Sequence, residues 1–142
     1  MNYANQQTQS KSTEAICAYL FPVCFGWAFL LGGSMKVGII MGSKSDLDTM
    51  KKASAVLDEF NIPYEMVIAS AHRTPEAVKD FVTRLEDEGA IAFIAGAGAA
   101  AHLPGVVASF TTLPVIGIPL NATALKGIDS LLAIVQMHLV CL

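Results

Sequence analysis

A doubly wound, parallel α/β sheet is the fold this sequence predicts, and three observations carry the expectation. From Met35 onward, short apolar stretches alternate with stretches of helical periodicity. The spacing between apolar stretches suits right-handed helical crossovers, which parallel strands need. Three strand-to-helix turns carry distinctive small and polar residues: M-G-S-K-S-D at Met41–Asp46, S-A-H-R-T-P at Ser70–Pro75 and A-G-A-G-A-A-A-H-L-P-G at Ala95–Gly105. In a parallel sheet these turns converge on one edge, where open α/β sheets bind ligands.

The elements follow in order. Lys36–Met41 (K-V-G-I-I-M) is a short apolar strand. Ser45 is placed to cap the next helix, with Asp48 in a capping-box arrangement and Asp46 favouring the positive helix end. Met50, Ala53, Leu57 and Phe60 recur along that helix as a stripe. Pro63–Ala69 is the second strand. Thr74-Pro75 starts a second helix, because proline suits the first helical position. Val78, Phe81, Val82 and Leu85 form its apolar stripe, and Gly89 is its C-terminal stop. Ala90–Ala95 is wholly apolar, as a central parallel strand should be. A glycine-alanine turn then leads into a third helix around Pro104–Phe110. Pro114–Ile118 is the fourth strand, and Gly127–Met137 a fourth helix with Ile128, Leu131, Leu132 and Val135 on one face.

Composition narrows the function. The chain has 142 residues, enough for one domain with a modest core. Its net charge is −3 and it carries no basic patch, which argues against nucleic acid as a partner. Cys17, Cys24 and Cys141 all lie in the terminal segments, so neither a disulfide framework nor a cysteine metal site is expected in the core. His72 and His102 are 30 residues apart with no close histidine pairing in sequence, and no metal is indicated.

Hydrophobicity is concentrated at the N-terminus. Residues 1–34 hold only Lys11 and Glu14 as charges, and the 19 residues from Ala15 to Gly33 hold none. That run is about long enough to span a bilayer, although Pro22, Gly26 and the closing Gly-Gly weaken a helix. Residues 1–34 are expected to be translated upstream sequence before a true start at Met35. A membrane anchor through residues 15–33 and a secretory signal are the alternatives. Residues 35–142 are expected to form the α/β domain.

Each turn has chemistry of its own. Gly42 with Ser43 and Ser45 at a helix start offers N–H and hydroxyl donors to a phosphate, and the bland alternative is a serine-capped helix. It is neither a P-loop nor a G-x-G-x-x-G turn. His72 can give and take a proton near neutrality, and the adjacent Arg73 can hold a phosphate or carboxylate in two-point fashion. The third turn lets backbone approach a ligand closely, or merely packs helix on strand; His102 could line a pocket or cap a helix. Residue types alone reach a phosphorylated ligand and proton transfer by histidine.

Together these turns closely resemble the 5-(carboxyamino)imidazole ribonucleotide mutase family of purine biosynthesis. The likeness runs from about Val37 to Met137 and includes L-P-V-I-G-I-P at Leu113–Pro119, L-K-G-I-D-S-L at Leu125–Leu131 and I-V-Q-M at Ile134–Met137. It implies a flavodoxin-like three-layer domain, assembled as a cytoplasmic homo-octamer with active sites at subunit contacts. The implied reaction moves a carboxylate from an exocyclic nitrogen to ring carbon C4 of an aminoimidazole ribonucleotide, with no cofactor. By motif position, His72 is the implied general acid/base, Ser43 and Asp46 bind the ribonucleotide, and Arg73 contacts its phosphate region. Ser70 and the loop from Gly96 through Gly98 to His102 line the pocket for transient carbon dioxide. A related type carboxylates the unsubstituted ribonucleotide directly; the S-A-H-R-T-P and A-H-L-P-G turns resemble the mutase type instead.

Two features depart from the family pattern. Ala99 stands where a glycine is usual, in a turn that could need positive φ, at a cost of about 1 kcal/mol. After Met137 the family's P-G-G-V-P-V-like loop and fifth strand are absent, and the chain reads H-L-V-C-L. The sheet is therefore expected to be truncated after the fourth βα unit, by a frameshift just after Met137. An exposed edge on strand four would then favour aggregation and low activity, making an inactive or membrane-anchored remnant the alternative to a working mutase.

Overall fold

The computed structural model describes residues 35–136. The expectations for residues 1–34 and for the chain from Met137 onward fall outside them. Four strands, β1 (Lys36–Met41), β2 (Tyr64–Ile68), β3 (Ala90–Gly98) and β4 (Val115–Leu120), form one parallel sheet in the order β2-β1-β3-β4. Helices α1 (Leu47–Glu59), α2 (Pro75–Asp87) and α3 (Leu103–Ala108) connect them, and α4 (Ile128–Val135) follows β4. The strand order reverses between β1 and β3, so the crevice above their C-terminal ends is the natural ligand position in such a sheet.

Two apolar layers sandwich the sheet. On one face α1 places Met50 among Ile39, Met41 and Leu120. On the other, α2 and α3 enclose Ile40, Phe93 and Ala95, joined by Ala133 and Ile134 of α4. The α2 stripe is as the periodicity predicts: Val78, Phe81, Val82 and Leu85 are all buried. Gly89, at φ 92°, ends that helix in a left-handed conformation.

Two local expectations are corrected. The cap of the first helical segment is Ser43, not Ser45. Ser43 is extended and its Oγ accepts the Ser45 N–H at 3.3 Å, opening a 3-10 turn over Lys44–Asp46 that runs into α1. Ser43–Asp46 and Ser45–Asp48 are overlapping instances of one capping pattern, and the chain uses the earlier. Phe60 lies past the end of α1 and is largely exposed, leaving Met50 and Ser54 as that helix's buried residues.

The apolar stripe expected on one face of α4 is there, and that face is the outward one. Ile128, Leu131, Leu132 and Val135 of α4 point away from the sheet, each about half exposed. The inward side is Ser130, fully buried, with Ala133 and Ile134. The strand beneath has Gly117, where a Cβ would come within 3.0 Å of the Ile134 side chain, so the helix lies close and admits only small or well-fitted groups there. The most apolar face of α4 was not the packed one.

Candidate active site

Strand register builds the site. Met41, the last residue of β1, pairs with Gly96, so β3 runs two residues beyond it. The expected Ala95–Gly105 turn is thus strand as far as Gly98, and Ala97 and Gly98 form one side of a cleft at the sheet edge. That cleft has a volume of about 380 Å³. It takes Gly42, Ser43, Ser45 and Asp46 from the first turn and Ser70, Ala71 and His72 from the second. The third supplies Ala97 to Ala100, His102 and Leu103, and Ala122 comes from the loop after β4.

Hydrogen bonds tie these turns together. Ser45 Oγ lies 3.0 Å from Ser43 Oγ and 3.2 Å from Asp46 Oδ1, making a compact polar corner at the start of the α1 segment. Thr74, at the N-cap of α2, donates its hydroxyl to the Ser70 carbonyl and accepts the Ser70 N–H, closing the second turn. Arg73 reaches across to the first turn, where its Nη2 donates to the Gly42 carbonyl at 2.9 Å. The guanidinium therefore bridges two turns beside the cleft rather than lining it.

The two histidines meet directly. His72 Nε2 is 2.9 Å from His102 Nδ1, with the rings edge-on at 86°. One nitrogen must donate and the other accept, so the contact exists only while at least one ring is neutral. His102 occupies the N-cap position of α3, but its side chain caps no N–H there and goes to His72 instead. Both side chains are exposed to the cleft side of the sheet.

Of the residues singled out from sequence, Ser43, Asp46, Ser70, His72, Gly98 and His102 share this cleft. Gly96 does not line it. It faces α1, where a Cβ would sit 2.3 Å from Met50 Sδ, so its role in this structure is close strand-to-helix packing. Ala99 has φ 55°, the left-handed conformation anticipated for it. Ala122 was missed because an alanine carries no chemical signal of its own; the parallel topology alone, which brings every strand's C-terminal end to this edge, was the available signal.

The loop after β4 is internally fixed. Thr123 Oγ1 donates to Asp129 Oδ2 at 2.6 Å, and Ser130 Oγ donates to the Leu120 carbonyl at 3.0 Å. The Thr123 hydroxyl holds the Asp129 carboxyl below the usual carboxylate range, helped by N–H groups at the start of α4. Among the described residues no three His, Cys, Asp or Glu side chains group as metal ligands, and no helix is long and apolar enough to cross a membrane.

Comparison with known proteins gives a consistent result. The family model described as AIR carboxylase matches residues 36–140. The N5-carboxyaminoimidazole ribonucleotide mutase of Aliivibrio fischeri is 61% identical over 103 residues, 72% of this chain and 64% of that protein. The mutase of Pyrococcus horikoshii is 59% identical over 101 residues, 71% of this chain and 57% of that protein. The chain thus spans less than two thirds of the length of these relatives. A crystal structure of Treponema denticola PurE superposes with a TM-score of 0.65 at 32% identity, covering 72% of this chain and 65% of that one.

Proposed function

The chain belongs to the AIR carboxylase family, and on that premise we propose that it carries the cleft of an N5-carboxyaminoimidazole ribonucleotide mutase. The observation that carries this reading is the meeting of His72 with His102 at 2.9 Å, beside Ser43, Asp46 and Ser70 in one cleft. The family model is named for carboxylation of the unsubstituted ribonucleotide, but relatives at 55–61% identity bear the mutase name, which favours the mutase.

In this reading Ser43, Ser45 and the N–H groups at the start of the α1 segment hold the ribonucleotide together with Asp46. Arg73 has five N–H donors; the bond to Gly42 leaves others for the phosphate region. The bond between the exocyclic nitrogen and the carboxylate breaks, releasing carbon dioxide, and the nitrogen takes a proton from His72. Carbon C4 then bonds the carbon dioxide, and its hydrogen leaves as a proton to His72, so the ring ends as it began. Each histidine keeps one ring nitrogen outside the His72–His102 contact, and His102 sets which His72 tautomer meets the substrate. Ser70, Gly98 and the alanines beside it close over the carbon dioxide and keep it near C4.

The exposed apolar face of α4 supports assembly into a homo-oligomer, an octamer in the implied family arrangement. A phosphorylated substrate is an intracellular metabolite, which supports a cytoplasmic setting. The test is carbon-13 NMR on substrate labelled in its carboxylate: the label moves from nitrogen to carbon in the presence of the full chain. A full chain that binds the ribonucleotide yet never moves the label would leave family membership intact and remove the activity.

A further inference from the structure

Polarity changes across the cleft in step with strand order. The turns after β2 and β1 line it with Ser70, His72, Ser43 and Asp46; the end of β3 and the turns after β3 and β4 line it with Ala97, Gly98, Ala99, Ala100, Leu103 and Ala122, and the one polar side chain there, His102, meets His72. A phosphorylated ligand places its charge over the polar half. Its uncharged ring then lies over β3 and β4, where the wall apart from His102 is backbone and apolar side chains. There Gly98 and Ala122 are complementary: a Cβ built on Gly98 would fall 2.4 Å from the Ala122 Cβ. The methyl of Ala122 occupies the space that Gly98 leaves.

Ala122 owes its position to a loop that is unusually constrained for its length. Lys126 at φ 52° and Gly127 at φ 89° are both left-handed, which folds the chain back sharply before α4. The Lys126 N–H donates to the Thr123 carbonyl at 3.1 Å and the Ala122 N–H to the Leu120 carbonyl at 3.1 Å. Thr123 also accepts the Leu125 N–H at its hydroxyl, while donating that hydroxyl to Asp129. The side chain of Thr123 therefore joins the loop to the first turn of the helix that follows it.

We propose that this loop is a specificity-determining wall of the cleft, in which the Thr123–Asp129 hydrogen bond positions Ala122 and Ala122 limits the size of the group admitted beside Gly98. The inference rests on the ribonucleotide reading above. Ala122 is the specificity-determining residue; Thr123 and Asp129 act through it and are positioning residues.

Calorimetric titration of the full chain with 5-aminoimidazole ribonucleotide and with ribose 5-phosphate, which lacks the ring, separates the outcomes. For Ala122→Leu the ribonucleotide affinity falls by roughly tenfold or more while ribose 5-phosphate binding stays within about twofold. Thr123→Val weakens the ribonucleotide selectively, and Thr123→Ser, which keeps the hydroxyl, restores it. Thermal melts of each variant check that the fold persists. Equal loss for both ligands, or no loss for either, overturns the wall while leaving the ribonucleotide reading in place. Wild-type chain that binds neither ligand overturns the ribonucleotide reading, and the wall with it.

Discussion

At the scale of single residues, the proposed chemistry rests on His72 and His102, and their effects should differ in kind. If His72 exchanges the proton, His72→Asn lowers turnover by about 10²–10⁴-fold, the usual contribution of a general acid/base, while ribonucleotide binding persists. His102→Asn keeps a polar partner but loses the ring contact, so it lowers kcat less than His72→Asn does. Steady-state kinetics beside calorimetric binding on the same preparations checks both, and an His72→Asn variant of unchanged kcat would falsify the assignment. Ala99 gives a second residue-scale prediction. Its φ of 55° costs a side chain about 1–2 kcal/mol, while glycine in its place costs some backbone entropy in return. Ala99→Gly should therefore stabilise the chain by roughly 0.5–1 kcal/mol, read from the urea midpoint at constant slope. The strain at Ala99 was anticipated from the family resemblance, which puts a glycine at that position. The histidine contact was not. Thirty residues separate the two rings, and only the parallel sheet brings their turns together.

Packing between elements yields the next predictions. Strand β3 lies against α1 at Gly96, where a methyl meets Met50 Sδ. Met50 is fully buried but flexible, so Gly96→Ala should cost about 1 kcal/mol by overpacking, toward the lower end of such changes. In a Met50→Ala background the same substitution should cost nothing further, and a double-mutant cycle by chemical denaturation measures that coupling. Across the sheet edge, Arg84 of α2 pairs with Glu65 of β2 and with Glu88, which also pairs with Lys36 of β1. The Arg84 hydrogen bond chiefly holds the Glu65 carboxyl below its ordinary 4.5, and Lys36, then Arg84, do the same for Glu88. A depressed folded-state value means that this contribution is complete above pH 4.5 and is lost as pH falls below it. Stability should therefore decline on acidification below that point, and Arg84→Met should flatten the decline; equal acid slopes in the two proteins would remove the network from the account. These pairs are exposed and the effect is modest. Helices were legible from sequence to unequal degrees at this scale. In α2 one apolar stripe faced a charged side, so periodicity had one answer. In α4 both sides are apolar, and the choice between them fell to Gly117 in the strand beneath.

For the molecule as a whole, the outward face of α4 decides how the protein behaves in solution. Ile128, Leu131, Leu132 and Val135 are joined in exposure by Ile116 on β4, which has a paired neighbour on only one side of the described sheet. Apolar side chains concentrated on one helix and one edge strand call for a partner surface or lead to self-association. Sequence reading foresaw the exposed edge of β4 and placed the α4 stripe on one face without assigning that face a neighbour, because hydrophobic periodicity locates an apolar face without saying what covers it. The chain should accordingly self-associate at micromolar concentration. Replacing Leu131 and Leu132 by lysine should convert that material to a monomer, since both side chains lie outside the cores on either face of the sheet. Light scattering behind a sizing column reads the mass, and circular dichroism melts confirm that the fold is kept. Which material moves the label between nitrogen and carbon then bears on the site. Active oligomer and inactive monomer from the lysine variant would mean that the cleft needs a neighbouring copy, as expected for active sites at subunit contacts. Activity retained in the monomer would mean that the three turns and the loop after β4 suffice on their own.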